Sequence, residues 1–340
     1  MAKDKLTEYD ATAANNTVVG DVNLAENSAL PSDMNNAVRE VMSHLKEFAE
    51  GTNGINVLSL ADDDASASIK FQAPSAVTTT VTFTLPDGDG QSGQTLVTNG
   101  SGTLAWHAPY GNRNLIINGA MQVAQRGTSV TGVTSGAYYT CDRFMFSPFG
   151  PAGTWTVTQS TDAPDGFSNS FRIDCTTADT SLGASDFVIV ETKIEAQNLQ
   201  HLMYGNSSAK TVTASFYVKS NKTGTYVLEL RQPDSGRLYS KTYTINVANT
   251  WEYKTLTFPG DVSGTINNDN GQGLNMNFWC AAGSTFSSGS IGTSWHTTNA
   301  NRAAGVVNLA DSTDNDWSIT GVQLEVGEQA TPFEHRSFGD

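Results

Sequence analysis

Three glycines have the G-x-G-x-x-G spacing of a dinucleotide-binding loop, Gly88, Gly90 and Gly93. Such a loop holds pyrophosphate only where a helix comes after it, because the helix N-terminus supplies free N–H groups and partial positive charge. In this chain the glycines lead instead into a run of β-forming residues, 94–98, and then Asn99-Gly100, which is a strong hairpin signal. Asp87 and Asp89 would also repel a phosphate. The pattern therefore predicts glycines that bend the chain between strands, not a phosphate-binding loop.

No other pattern of reactive residues forms a recognisable catalytic site. The sequence contains no H-E-x-x-H, G-x-S-x-G or Walker motif. Its histidines are scattered along the chain: His44, His107, His201, His296 and His335. A carboxylate pair for glycosidic cleavage cannot be identified from spacing alone, and no internal repeat of the kind that builds a long β-helix is visible. We therefore expect a protein without catalytic activity.

Metal and redox sites also lack a supporting pattern. Cys141, Cys175 and Cys280 are odd in number and widely spaced, which predicts buried free thiols rather than a disulfide framework or a zinc site. The segment Asp311–Asp316 brings several carboxylates together but lacks the glycine and distal glutamate of an EF-hand. It is either a solvated turn or a structural calcium site. We assign no cofactor and no metal site.

The charge balance restricts the classes of partner. The chain of 340 residues has 19 basic and 34 acidic residues, a net charge of −15. Such a surface opposes binding to nucleic acid and to anionic membranes, since both need basic side chains. No apolar run approaches the roughly 18 residues of a membrane helix, and no apolar segment comes after the N-terminal Met-Ala-Lys-Asp-Lys. We therefore expect no membrane insertion and no signal peptide.

The elements that would position any site begin with one amphipathic helix, after a polar arm over residues 1–30. The helix begins at Pro31, with Ser32 or Asp33 as its cap, and ends before Gly51. Its apolar residues recur at alternating steps of four and three: Met34, Val38, Val41, Leu45 and Phe48. This stripe has the a/d spacing of a helix that packs on copies of itself. Cover by a β domain is the alternative.

Two β-rich regions lie beyond the helix. Residues 53–109 hold short strands and few large apolar residues, so this module fits one part of an intertwined oligomeric shaft. Residues 110–340 hold longer strands with alternating apolar and polar residues, about ten of them, which predicts a two-sheet sandwich. The predicted strands include Leu115–Val123. In the last strand the apolar phase slips at Gly321, which predicts a β-bulge.

Several stretches resemble the tail-fibre proteins, receptor-binding or appendage proteins, of tailed bacteriophages, especially short-tailed phages of marine type. LPSDMNNAVREVM, residues 30–42, is similar to the helical element near the start of such fibres. Residues 85–106 are similar to their glycine-punctuated shaft or knob. The stretches 114–127 and 320–334 together resemble the first and last strands of a jelly-roll, carbohydrate-binding-like fibre tip.

The resemblance implies a mainly β, homotrimeric protein in three parts. Residues 1–52 would be a virion-attachment arm with a short trimeric helix bundle, 53–109 a β-rich shaft or knob, and 110–340 a jelly-roll tip domain. The arm would dock on tail or capsid proteins, and the tip would bind a host-surface glycan without turning it over. The protein would be made in the host cytoplasm and carried on the virion. The alternative is a structural or adaptor fibre that anchors another virion protein.

Glycan recognition needs flat aromatic faces for the apolar side of a sugar and planar polar groups for its hydroxyls. The candidates on this basis are Trp279, Trp295, Arg231, Asp234 and Tyr239. Alternation places Trp279 on the outer face of its strand, where a glycan or a neighbouring subunit would cover it. The others lie in or near a predicted hairpin and a Ser/Gly-rich stretch. A solvated or structural role is the alternative for each candidate.

Overall fold

The computed structural model describes residues 17–19, 22–23, 31–50, 57–61, 68–72, 81–90, 94–107 and 113–336. Contacts divide the chain into two compact units, Met1–Thr82 and Phe83–Asp340. Within the described residues no helix is both long and apolar enough to cross a membrane. The three-part division at residues 52/53 and 109/110 stays a prediction, and most of the predicted arm lies outside the described residues.

The first unit contains the predicted helix, α1, which spans Pro31–Glu50. Its short strands form two antiparallel pairs: β1 (Val18–Val19) with β2 (Val22–Asn23), and β3 (Val57–Ala61) with β4 (Ser68–Gln72). Met34, Val38 and Leu45 on the apolar stripe are 65%, 56% and 50% exposed. Val41 is half-buried, and the side chain of Phe48 lies outside the described part. The first unit as described thus leaves the stripe open, and trimerisation through it stays a prediction.

The second unit begins with the glycine-rich stretch. Strands β5 (Thr95–Thr98) and β6 (Leu104–His107) form the predicted hairpin, so a strand and not a helix comes after the glycines. Gly90 has a φ of +74°, and a Cβ there would lie 2.5 Å from the indole of Trp106. The Trp106 Nε1–H donates to the Gly88 carbonyl at 2.7 Å. The glycines therefore let the chain turn against a tryptophan ring. Gly93 lies outside the described residues.

The rest of the second unit is a sandwich of two antiparallel sheets. The strands are β7 (Ser129–Val133), β8 (Phe144–Phe149), β9 (Thr154–Ser160), β10 (Ser170–Thr177), β11 (Phe187–Glu195), β12 (Val212–Ser220), β13 (Gly224–Gln232), β14 (Arg237–Ile245), β15 (Glu252–Phe258), β16 (Gln272–Ala282) and β17 (Asp316–Val326). The six-stranded sheet has the order β15-β12-β17-β10-β9-β7, and the five-stranded sheet the order β14-β13-β16-β11-β8. Short helical turns lie at Ala196–Leu202, Ser284–Ser287, Asn299–Asn301 and Leu309–Asp311. The chain is thus mainly β, with a jelly-roll type of sandwich, as predicted.

Alternation along the strands builds the core between the sheets. The inward residues of β12 are fully buried, and so are those of β16 in the facing sheet: Val212, Ala214, Phe216 and Val218 on β12, and Leu274, Met276, Phe278 and Cys280 on β16. Phe216 from one sheet meets Phe278 from the other at a ring distance of 5.1 Å and an angle of 82°. Each such aromatic side chain contributes roughly 1.5–3 kcal/mol through burial. This core fixes which residues of each strand point outward.

The predicted β-bulge in β17 is confirmed. Ser215 of β12 pairs with Gln323 and Tyr217 pairs with Thr320, so two residues of β17 stand opposite one residue of β12. Gly321 lies in the bulge with a φ of +62°. Because this left-handed conformation is unfavourable for residues with a Cβ, glycine suits the position.

The predicted strand Leu115–Val123 is wrong. This segment is a series of turns, because Asn118 and Met121 have φ values of +59° and +57°, which a strand excludes. The segment nevertheless lies along β17, since Leu115 N–H donates to the Leu324 carbonyl at 2.8 Å. The two stretches that resemble a fibre tip are therefore neighbours in space, and the first strand of the sandwich is β7.

The cysteines and the acidic segment have structural roles. All three cysteines are free and buried, as predicted, and burial raises the pKa of the Cys141 thiol to about 12. In the acidic segment Asp311 pairs with Lys222 at 2.5 Å and Asp316 with Arg172 at 2.9 Å. Among the described residues no group of three His, Cys, Asp or Glu side chains could hold a metal ion.

Candidate ligand-binding groove

Trp279 lies on the outer face of the five-stranded sheet, as alternation predicted, but it is only 1% exposed. Residues 283–306, which come after β16, fold back over it. Its ring packs against Phe187 at 5.8 Å and Phe286 at 5.4 Å, and the Arg302 guanidinium lies 4.9 Å from the ring centre. The expectation of an open tryptophan face is therefore wrong, because the same chain provides the cover.

Trp295 and Tyr239 are also buried, at 8% and 6% exposure. The Trp295 Nε1–H donates to the Pro259 carbonyl at 2.7 Å, and the Tyr239 hydroxyl donates to the Thr293 carbonyl at 2.7 Å. Their rings meet at 6.0 Å. Both side chains therefore complete the core at one end of the sandwich, and neither offers a ring face to a sugar.

Arg231 and Asp234 remain accessible but lie apart from any open aromatic surface. Arg231 is half-buried on the outer face of β13, paired with Asn275 of β16. Asp234 is exposed in the hairpin and accepts from the Asn267 N–H at 2.9 Å. The structure therefore does not bring the five predicted residues together at one open site. A glycan role for Arg231 and Asp234 stays a prediction.

An open aromatic surface exists on the opposite side of the sandwich, on the outer face of the six-stranded sheet. Five rings line a hollow of about 560 Å³, here called the aromatic hollow: Phe167, Tyr217, Tyr253, Phe333 and His335. Tyr217 and Tyr253 are cross-strand partners with ring centres 4.9 Å apart, and Tyr253 is 47% exposed. Phe167 lies 5.5 Å from Tyr217 and 5.0 Å from Phe333. The rings thus form one contiguous surface that faces solvent.

The bulge in β17 makes room for this surface. A Cβ on Gly321 would lie 2.7 Å from the Phe167 ring and 3.1 Å from the Tyr217 ring. Only the absence of a side chain there lets both rings lie against the sheet. Phe167 comes from the loop between β9 and β10, so the bulge joins a loop residue to the strand residue Tyr217. A local slip in strand register therefore shapes the hollow.

A segment after β17, residues 328–336 and here called the strap, supplies the other two rings. Two side chains beneath it hold the strap on the sheet: Gln323 Oε1 accepts from Glu334 N–H at 2.8 Å, and Glu325 Oε1 accepts from Thr331 N–H at 2.8 Å. Arg113 Nε lies 3.6 Å from Glu325 Oε2, which puts a positive charge beside the buried carboxylate. Gln323 and Glu325 are buried with these partners, which satisfies their polar atoms. The rings of the strap are therefore held in place by hydrogen bonds rather than left on a free tail.

A second hollow of about 330 Å³, the threonine hollow, continues from the first along the same sheet face. The two share Tyr253 and Ala330 in their lining. The floor of the threonine hollow is a block of hydroxyls on β12 and β15: Thr213, Thr255 and Thr257. The Thr213 and Thr257 hydroxyls are 3.0 Å apart and also contact the Gly327 and Glu328 carbonyls, whereas Thr255 is exposed. Together the aromatic and threonine hollows form one groove, here called the outer groove.

The groove combines apolar ring faces with hydroxyl and carboxylate groups. Burial raises the pKa of Tyr253 above its usual value, so its hydroxyl stays protonated and can both donate and accept. The carboxylate of Asp165 and the carboxamide of Gln329 line the hollows beside the rings. Stacked rings beside planar polar groups can bind a flat, hydroxyl-rich molecule. The arrangement contains neither an activated nucleophile nor a metal-binding set among the described residues.

Sequence reasoning identified the two sheets but not this groove. Alternation does place Tyr217 outward on β12, and that signal was present. Tyr253 is found by the same rule once β15 is recognised. Phe167, Phe333 and His335 could not be found in this way, because they lie on loops and their place depends on how those loops fold back.

Comparison with known proteins finds solved structures that are similar to part of this chain. No protein-family model matches the chain, and the comparison with curated proteins finds no similar sequence. A putative sugar-binding protein from Bacteroides thetaiotaomicron is 12% identical with a TM-score of 0.37, covering 63% of this chain and 100% of that one. A family 11 carbohydrate-binding module from Clostridium thermocellum, in complex with a mixed-linked tetrasaccharide, is 11% identical with a TM-score of 0.31, covering 60% and 99%.

A bacteriophage protein is also similar in part. The enzymatically active domain of tailspike protein 4 from bacteriophage CBA120 is 16% identical with a TM-score of 0.33. The match covers 63% of this chain and 21% of that one. The TM-scores are low, and the sandwich is shown by the strand pairing of this chain itself.

Proposed function

We propose that the chain is a non-catalytic bacteriophage tail-fibre protein that binds a host-surface glycan in the outer groove. The observation that supports this most is the set of contiguous open rings in the aromatic hollow, next to the hydroxyl floor of the threonine hollow. Sugars present an apolar face to rings and hydroxyls to polar neighbours, so both halves of the groove are needed. The resemblance of four stretches of sequence to tail fibres supports the wider assignment.

An oligomeric fibre accounts for the apolar residues that the chain leaves open outside the sandwich. Phe83 and Leu85 are 62% and 68% exposed, and Met34 on the stripe of α1 is 65% exposed. Large exposed apolar side chains in series invite association. The heptad spacing of the stripe favours copies of the same helix as the cover. We therefore include a homotrimer, with virion attachment through the N-terminal arm, in the proposal.

The first experiment is a glycan array with the full chain, and then calorimetry on the saccharide that binds best. The variant Tyr253→Ala should weaken that binding roughly two- to tenfold, because one stacked ring contributes about 0.5–1.5 kcal/mol. Phe149→Ala is the matched control, since Phe149 is 56% exposed and lies outside the groove. Its affinity should equal that of the wild type.

Two results would contradict the proposal. One is an array without any bound saccharide while the chain retains a second virion protein, which would support the adaptor alternative. The other is saccharide binding that Tyr253→Ala leaves unchanged, which would place the site away from the outer groove.

A further inference from the structure

A second cleft, distinct from the outer groove, lies at the edge of the five-stranded sheet. Strand β8 begins at Phe144, which pairs with Thr192, whereas β11 continues to Glu195. From Lys193 onward, β11 therefore has no paired strand on that side within the described residues. A cleft of about 420 Å³ occupies this notch, between the end of β11 and the turns that start at Asn114. A volume of several hundred Å³ suits a small ligand or one residue of a polymer.

Positive charge dominates the lining of the cleft. Three cations line it, Arg143, Lys193 and Arg336, against one lining carboxylate, Glu195, while Glu191 and Glu334 lie behind the lining beside Lys193 and Arg336. This balance is the reverse of the whole chain, whose net charge is −15. In a predominantly acidic protein, three basic side chains in the lining of one cleft make a local site that favours an anion.

The lining carboxylate does not neutralise these cations. Arg143 Nη1 lies 3.4 Å from Glu195 Oε1, and the two side chains are 48% and 40% exposed. A pair this open to water is weak, and an anion of better geometry can compete with it. Lys193 Nζ lies 3.6 Å from Glu191 Oε1, which is beyond hydrogen-bond distance. Both cations therefore keep donors for a ligand.

Arg336 carries an unsatisfied donor. Its Nη2 donates to the Asn114 carbonyl at 2.7 Å and to Glu334 Oε2 at 3.2 Å, which fixes the guanidinium beside the cleft. Its Nε–H is buried and has no hydrogen-bond partner in the part of the chain that the structure describes. A buried donor without an acceptor is unfavourable. An acidic group bound in the cleft would lie next to this fixed cation.

The backbone at Arg143 is unusual. This residue has a φ of +70°, in the left-handed region that residues other than glycine seldom adopt. The Phe144 N–H donates to the Cys141 carbonyl at 3.3 Å across the same turn. Strain of this kind is found where a side chain has to be placed for binding. Here it brings a guanidinium into the lining of the cleft.

We propose that this cleft binds the anionic group, carboxylate or sulfate, of an acidic saccharide. Arg143 and Lys193 recognise the charge, and Arg336 completes the cationic wall. The amide of Asn198, which also lines the cleft, stands beside them. The inference that the ligand is a saccharide rests on the proposed function, whereas the preference for an anion rests on the lining alone.

The test measures calorimetric binding of three probes to the full chain: a tri-galacturonate, a sulfated galacto-oligosaccharide and the neutral galacto-oligosaccharide. Anionic probes should bind more tightly than the neutral one, with an affinity that falls as salt is raised. Comparing the two anionic probes distinguishes a carboxylate ligand from a sulfate ligand. Equal affinity for all three probes, or no binding by any of them, would overturn the proposal.

Two variants and a control locate the site. Lys193→Gln, or Arg143→Asn, which tolerates the left-handed backbone, should weaken binding of the anionic probe at least about tenfold, since each removes a charge-assisted contact. Arg126→Gln makes the same charge change at a residue that is 55% exposed and outside the cleft. It should bind like the wild type. Anion binding that is equal in all four proteins would overturn the proposal.

The proposals for the outer groove and for the cleft can be tested independently of each other. Tyr253→Ala should leave the affinity for the anionic probe unchanged, and Lys193→Gln should leave binding of a neutral glycan unchanged. A loss of anion binding in Tyr253→Ala would place the anion in the outer groove and overturn the assignment to the cleft.

Discussion

The two outer faces of the sandwich show the same alternation along their strands, but one face is covered and the other is partly open to solvent. On the five-stranded sheet the long connection from β16 to β17 folds back over Trp279 and buries it to 1% exposure. On the six-stranded sheet the strap and the loop around Phe167 cover only part of the face, and Tyr253 remains 47% exposed. Alternation alone therefore says which side a residue faces, not whether water reaches it. The connections between strands decide that.

The covered face is closed by an ion pair as well as by apolar contact. Arg302 donates to both oxygens of Glu229 at 2.7 and 2.8 Å, and Glu229 is fully buried. Asn277 Nδ2 donates to the same carboxylate at 2.7 Å. Bidentate geometry of this kind is strong and directional. It fixes the connection on the sheet over Trp279.

The largest effect expected from this comparison is on stability. Trp279→Ala should lower the free energy of unfolding by about 3–5 kcal/mol, because it leaves a large cavity in a buried cluster. Tyr253→Ala, an aromatic truncation on the open face, should cost less than about 1 kcal/mol. Denaturant unfolding of both variants measures the difference. Equal losses would mean that the two faces are equally covered in solution.

A smaller effect is expected at the bulge on the open face. Gly321→Ala should destabilise the fold by about 2 kcal/mol, since alanine opposes the left-handed backbone and its Cβ would meet Phe167. Gly305→Ala is the matched control, because Gly305 has a φ of +80° but nothing within 4 Å of a Cβ. The difference between their melting temperatures isolates the contact with Phe167. Identical shifts would show that the ring moves aside freely.

The smallest expected effect is the pH dependence of stability that comes from Glu252, on the edge strand of the open face. Burial acts to raise the pKa of Glu252, but hydrogen bonds from Lys254 and from the N–H groups of Val247 and Asn246 outweigh it and lower the pKa to about 2. A lowered pKa means that the ionised group stabilises the fold above its unfolded pKa, about 4.3, and that this contribution is lost as pH falls toward 2.

Removing that carboxylate should therefore reduce the loss of stability at low pH. Between pH 5 and pH 2 the free energy of unfolding of Glu252→Gln should fall by about 1 kcal/mol less than that of the wild type, after allowance for partial solvent screening. Melting temperatures at the two pH values measure this. Asp234→Asn, which removes a carboxylate exposed in the hairpin, serves as the control, and a wild-type slope no steeper than that of Glu252→Gln would contradict the prediction.

Much of the fold was predictable because it depends on local patterns. Phe216 and its alternating neighbours predicted the inward face of β12, the heptad steps predicted α1, and the phase slip at Gly321 predicted the bulge. The turns at Asn118 were missed, since an apolar run can hide residues with positive φ. The groove was missed because Phe167 and Phe333 are far apart in sequence and meet only through the folded loops. Burial of Trp279 was missed for the same reason.

The contacts of Asn114 have a mechanical consequence. Its side-chain oxygen accepts from Leu324 N–H at 3.1 Å, its amide donates to the Val322 carbonyl at 3.2 Å, and its own N–H donates to Glu334 at 2.8 Å. Tension pulling on the chain at residue 113 is therefore passed at once to β17, an interior strand with neighbours on both sides. An interior strand must shear several rows of hydrogen bonds together before it yields, whereas an edge strand peels away one bond at a time. The sandwich is thus attached to the preceding chain through an interior strand rather than an edge strand.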